Sequence, residues 1–189
     1  MTLLIIGIAA FLGLHLVPAL PGLRERLVAR LGEGPYKGLF ALLSVASFIL
    51  LVYGFGKAPL IQLWSLPSWT RWVAIVLMLP AFIFLVAAYV PGQIKAKLKH
   101  PFLVAIKTWA LAHLIANGDL ASIILFGSFL AYAAYDRITL KRRTATGLTV
   151  PATGPPSNDV IAVVLGLVLY FAFLFWLLRL LIGTSPTPQ

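Results

Sequence analysis

Residues Phe102–Tyr135 read FLVAIKTWALAHLIANGDLASIILFGSFLAYAAY, two apolar runs joined by Asn117-Gly118-Asp119. Lys107 and Asp119 are the only charged residues in this stretch. Asn-Gly signals a turn, and Asp119 stands where a side-chain oxygen can cap the helix that follows. The pattern predicts a tight hairpin of two short apolar helices. Further uncharged runs lie at Leu3–Leu20, Gly38–Gly56, Trp72–Val90 and Val160–Ile182. With Phe102–Ala116 and Leu120–Tyr135 they give about six spans. A membrane-crossing helix needs about 20 apolar residues, so the two hairpin runs are short.

The whole chain agrees with this reading. It has 189 residues, 61% of them hydrophobic and 11% charged, with a mean hydropathy of +0.99. Soluble domains carry about a quarter charged residues. A water-soluble globule and a disordered chain are both excluded. Barrel strands alternate apolar and polar positions and give weak hydropathy peaks, unlike these continuous runs. The expected fold class is an all-α, polytopic transmembrane helix bundle, forming one membrane domain over residues 1–189. Arg24 is the first charged side chain. With no basic segment ahead of it, the first apolar run reads as a retained span rather than a signal peptide.

Fifteen Lys and Arg against five acidic residues give a net charge of +10. Their placement is one-sided. Arg24, Arg26, Arg30, Lys37, Lys95, Lys97, Lys99, Arg137, Lys141, Arg142 and Arg143 fall in the first, third and fifth loops, while Lys57 and Arg71 fall in the second. The positive-inside rule puts the basic loops in the cytoplasm, which expects an inner-membrane, multi-pass protein with both termini outside. Nucleic-acid binding needs a basic face on a folded soluble module, and none is present. Membrane lipids are the expected neighbours, and Lys141-Arg142-Arg143 suit anionic headgroups. Leu23, Leu27 and Leu31 recur every four residues among charged ones, which predicts a short surface helix. Residues from about 138 to 158, rich in Thr, Pro and Gly, read as a solvated linker. Trp64, Trp69, Trp72, Tyr89 and Tyr135 near span ends fit an aromatic belt, and Arg179 an interfacial anchor.

Cysteine is absent, so disulfides, thiolate metal sites and covalently attached haem are excluded. No Ser/His/Asp arrangement or phosphate-cradling glycine loop supports hydrolase or nucleotide chemistry. Three histidines remain. His15 and His113 lie inside apolar runs, where ionisable groups usually face a partner or a cavity. Each also has a structural reading, as a neutral ring bonded within the bundle, with Asn117 one turn from His113. His100 precedes Pro101 at a span end, close to water. Thirteen residues separate His100 from His113, about 20 Å of rise and roughly 220° of rotation, so they cannot share one metal ion. Histidines without thiolates or clustered carboxylates suit haem b better than zinc. Lys107 can snorkel to the interface or contact a haem propionate.

The chain resembles the NnrU family of bacterial membrane proteins. The resemblance rests on His100-Pro101, Trp109-Ala110-Leu111-Ala112-His113-Leu114, Asn117-Gly118-Asp119-Leu120-Ala121-Ser122, Leu125-Phe126-Gly127-Ser128-Phe129 and Asp136-Arg137. Gly13-Leu14-His15 and the segment from Gly32-Glu33 to Tyr36 also fit. It implies an inner-membrane protein associated with nitric oxide and nitrite metabolism in denitrifying bacteria. The family is similar to plant zeta-carotene isomerase, which uses haem b to isomerise a carotenoid double bond. By position, the resemblance implies His15 and His113 as haem ligands. Counting depth at 1.5 Å per residue puts His15 about 8 Å from the cytoplasmic face and His113 about 6 Å from the outer one. Across a core about 30 Å thick that pair needs tilt, and His15 with His100 is the closer alternative. Three functions follow as expectations: a haem-b protein with a redox or accessory role and a membrane-embedded redox partner, a haem-dependent polyene isomerase, or a membrane scaffold.

Overall fold

Uncharged runs with helical periodicity fold as helices throughout. The computed structural model describes residues 1–20, 22–145 and 154–177. Among them are eight α-helices: α1 Thr2–Leu16, α2 Leu23–Leu31, α3 Glu33–Gly56, α4 Trp69–Ala87, α5 Gln93–Leu98, α6 Pro101–Ala116, α7 Leu120–Ala145 and α8 Ser157–Ala172. A π-helical turn, Phe173–Leu177, follows α8. Four stretches are long and apolar enough to cross a membrane: Glu33–Gly56, Trp69–Ala87, Leu120–Leu140 and Ser157–Trp176. Thr2–Leu16 and Pro101–Ala116 are shorter apolar helices.

Several boundaries differ from the sequence expectation. The first run ends as an α-helix at Leu16 and continues as a 3₁₀ turn over Val17–Ala19. Pro18 lacks the N–H that another α-helical turn needs. The second begins earlier, at Glu33, with Pro35 in the first turn, where a missing N–H costs nothing. The linker expected from 138 is corrected: α7 runs on to Ala145. No Pro or Gly interrupts residues 138–145, and basic residues suit a helix C-terminus. The expected anchor Arg179 and the end of the sixth run lie outside the described residues, as do the side chains of Lys141, Arg142 and Arg143.

Helix pairing follows small residues. α1 lies antiparallel on α3, with Gly7 against Leu51 and Gly54 against Leu4. A Cβ added at Gly7 would stand 2.6 Å from the Leu51 Cα, and one at Gly54 2.6 Å from the Leu4 nitrogen. Bare backbones there allow the close approach that dispersion in lipid requires. α4 packs against both α6 and α8, and Tyr170 Oη donates to the Ile75 carbonyl at 3.0 Å. α6 and α7 form the expected hairpin, but only α6 is short, α7 having 26 residues, and α7 also meets α1. Leu4, Ile8, Leu51, Ala110, Ala121, Leu125 and Phe126 are the buried core between these helices. Outward-facing Leu42, Ile49, Val76 and Val160 are all more than 60% exposed. An apolar surface of this kind marks contact with a non-aqueous phase.

Both bundle ends are tied. At one, Ile61 to Trp64 runs extended along the hairpin turn: Leu63 N–H donates to the Gly118 carbonyl at 2.9 Å, and Leu120 N–H to the Ile61 carbonyl at 2.9 Å. Asp119 caps α7 as expected, accepting from Ser122 N–H at 2.9 Å. At the other, Asp159 of α8 accepts from Gln93 and Ile94 N–H at 3.1 and 3.0 Å, and Asn158 donates to the Pro91 carbonyl at 2.6 Å. This second end carries α2, α5 and Arg137. Folding therefore gathers the described basic loops together, away from Lys57 and Arg71.

Candidate cofactor site

α1 and α6 run in opposite directions and present one histidine each, near their C-terminal ends. The two rings are held alike. His15 Nδ1 lies 2.8 Å from the Phe11 carbonyl, and His113 Nδ1 2.9 Å from the Trp109 carbonyl. A carbonyl only accepts, so each Nδ1 carries the hydrogen, and in the neutral ring Nε2 keeps its lone pair. A backbone bond on one nitrogen that frees the other is how proteins orient an imidazole for a metal.

Each ring rests on aromatics. His15 packs on Phe11 at 4.2 Å and meets Phe40 at 5.5 Å. His113 stacks on Phe126 at 4.4 Å with planes 24° apart and touches Trp109 at 5.4 Å. Phe129 of α7 bridges the two sides, 5.8 Å from Phe11 and 5.5 Å from Trp109. α7 also serves as a ruler. Phe126 is level with His113, and Tyr132 Oη reaches the His15 carbonyl at 3.5 Å. Six residues of helix span about 9 Å, so the two histidines stand closer in depth than run counting gave. Side chains lean towards their helix N-terminus, and with α1 and α6 antiparallel the rings lean towards a common level, that of Phe129.

By donor chemistry, two imidazoles with Nδ1 bonded to backbone in an apolar aromatic setting suit haem b. Rings of Phe11, Phe129 and Trp109 occupy the space between them, so a macrocycle enters only as those rings turn aside. Among the described residues, no three His, Asp or Glu side chains gather as a metal cage.

The other two candidates stand elsewhere. His100 stands at the N-cap position of α6, with no capping bond from its side chain, at the basic end beside Asp136 and Leu140. Its Nε2 is buried without a hydrogen-bond partner. Burial holds its imidazole below the ordinary value, and Arg137 and Lys99 add to this against the opposing pull of Asp136. Lys107 is half-buried on α6 with Arg137 as a charged neighbour. Six positions from His113, it lies about 120° around the helix, off the ring-bearing face. The expected His113–Asn117 contact goes to the backbone: Asn117 Nδ2 donates to the His113 carbonyl at 2.8 Å.

Sequence reasoning missed the aromatic layer of Phe11, Trp109, Phe126 and Phe129. One signal was available, an aromatic residue four positions before His15 and before His113, at Phe11 and Trp109.

A family model described as NnrU protein matches residues 3–186, nearly the whole chain. No curated protein and no solved structure matches it.

Proposed function

Because the chain belongs to the NnrU family, we propose that it is a six-span inner-membrane protein that holds haem b between His15 and His113. The observation behind this reading is the matched pair of imidazoles, each with Nδ1 committed to the carbonyl four residues back. Counting α1 and α6 as spans gives six crossings. The gathering of basic loops at one bundle end supports a cytoplasmic placement of that end, with both termini outside.

Bis-histidine haem supplies one-electron transfer when bound, which suits a redox or accessory role in nitric oxide and nitrite metabolism. The protein's own part is to fix ring orientation, keep water out with the aromatic layer, and exchange electrons with a partner in the membrane. Purification after haem supplementation tests this reading. A Soret band with the narrow visible bands of six-coordinate haem is expected, and its absence would remove the proposal.

One observation favours a second reading, a haem-dependent isomerase of a carotenoid-like polyene. A cavity of about 240 Å³ between α4 and α6 is lined by Met78, Phe82, Leu85, Ile106, Trp109 and Phe173. Trp109 links it to His113. Conversion of a polyene isomer in membranes containing the reduced protein, lost on His113→Ala, would select this reading.

A further inference from the structure

The basic end of the bundle holds a second cavity, of about 250 Å³, that the cofactor site does not use. Lys95, Lys99, His100 and Asp136 form its polar wall, with Phe102 and Leu140 among its apolar lining. Three features are unusual. Lys95 Nζ donates to the Ala88 carbonyl at 2.6 Å, which fixes the ammonium at the wall. Lys99 has φ +62° and ψ −47°, and His100 N–H bonds to the Leu98 carbonyl at 2.7 Å. That is a γ-turn of the rare strained kind, centred on a residue type that seldom adopts positive φ. The third is His100 Nε2, buried with no partner, where a buried polar atom ordinarily finds one.

Charge decides what the cavity takes. In the lining, Lys95 and Lys99 stand against one carboxylate, Asp136, which has interactions of its own. The balance is cationic, two ammonium groups to one carboxylate. Several oxygens around one negative centre can meet both ammonium groups, which is the geometry of a phosphate group.

We propose that this cavity binds the phosphate group of an anionic ligand, with Lys95 and Lys99 neutralising its charge. The source is either a phospholipid headgroup, whose chains would run along Phe102 and Leu140, or a soluble phosphate. The position suits a headgroup pocket between helices on the basic side.

Native mass spectrometry of the delipidated full chain, titrated separately with phosphatidylglycerol and inorganic phosphate, tests this. The variant is Lys95→Ala with Lys99→Gly. Glycine tolerates the positive φ, so this variant removes the charge while relaxing the turn, and an unchanged unfolding midpoint verifies folding. Lys57→Ala, at the opposite end, is the control. One phosphatidylglycerol per chain, bound at least about tenfold more weakly by the variant and unchanged in the control, supports the proposal with a lipid source. Phosphate binding with the same pattern supports it with a soluble source. Binding of neither ligand, or equal binding by the variant, overturns it. His15 and His113 are untouched, so the haem spectrum reports separately on the cofactor site.

Discussion

His113 of α6 and Phe126 of α7 are stacked, ring centroids 4.4 Å apart and planes 24° from parallel. With Nδ1 held by the Trp109 carbonyl, this stack leaves the imidazole little freedom except at Nε2. The first prediction follows. His113→Ala and His15→Ala should each convert a six-coordinate haem spectrum to a five-coordinate one, and the double variant should lose haem. His100→Ala should leave the spectrum unchanged. Absorption spectroscopy of the purified variants decides, and a spectrum altered by His100→Ala alone would move the ligand assignment.

Helix pairing rests on bare backbone at Gly7 and Gly54. Gly7→Ala or Gly54→Ala places a methyl group 2.6 Å from backbone atoms of the facing helix, and overpacking of this kind costs about 1–3 kcal/mol. A Cβ at Gly13 meets nothing within 4 Å, so Gly13→Ala should be neutral or stabilise by up to about 1 kcal/mol through helix propensity. Unfolding midpoints in detergent compare the three.

Asp119→Ala removes the cap on Ser122 N–H. A loss of about 1 kcal/mol is expected, read as a lower unfolding midpoint, with Asp119→Asn recovering most of it because its amide oxygen still accepts.

Asp159→Ala deprives Gln93 and Ile94 of the acceptor they share. Hydrogen exchange at those two amides should accelerate by about tenfold or more, while amides at the Asp119 end keep their protection.

Acid should weaken the basic end through His100. Its imidazole sits below the ordinary value of 6.5, first because of burial and then because of Arg137 and Lys99, with Asp136 opposing. The unfolded chain therefore binds this proton more readily than the folded one. Stability from this source is complete above pH 6.5 and declines as pH falls below it. His100→Gln should flatten that part of the profile, measured as unfolding midpoint from pH 7.5 to 5.

Much of this was legible in the chain itself. The 117–119 turn, the Asp119 cap, the surface helix at Leu23–Leu31 and the one-sided charges all depend on neighbouring residues, and the structure has each of them. The two half-buried histidines stood out because an ionisable group in an apolar run is costly. The extension of α7 to Ala145 was not legible, because Thr, Lys and Arg suit a helix end as well as a loop. Nor was the meeting of Lys95, Lys99 and His100 with Asp136, which α7 brings to them from the far arm of the hairpin.

The sequence alone determined that the chain is helical and made for lipid, and how its charges divide between loops, since hydropathy and helical period are local properties. Only the tertiary structure decided which helices pair, and so which side chains meet. In lipid, apolar surface gives no preference among partners, and the choice falls to backbone approach at positions such as Gly7 and Gly54. That choice, with α7 laid between α1 and α6, sets His15 and His113 leaning towards one aromatic layer and leaves His100 at the basic end.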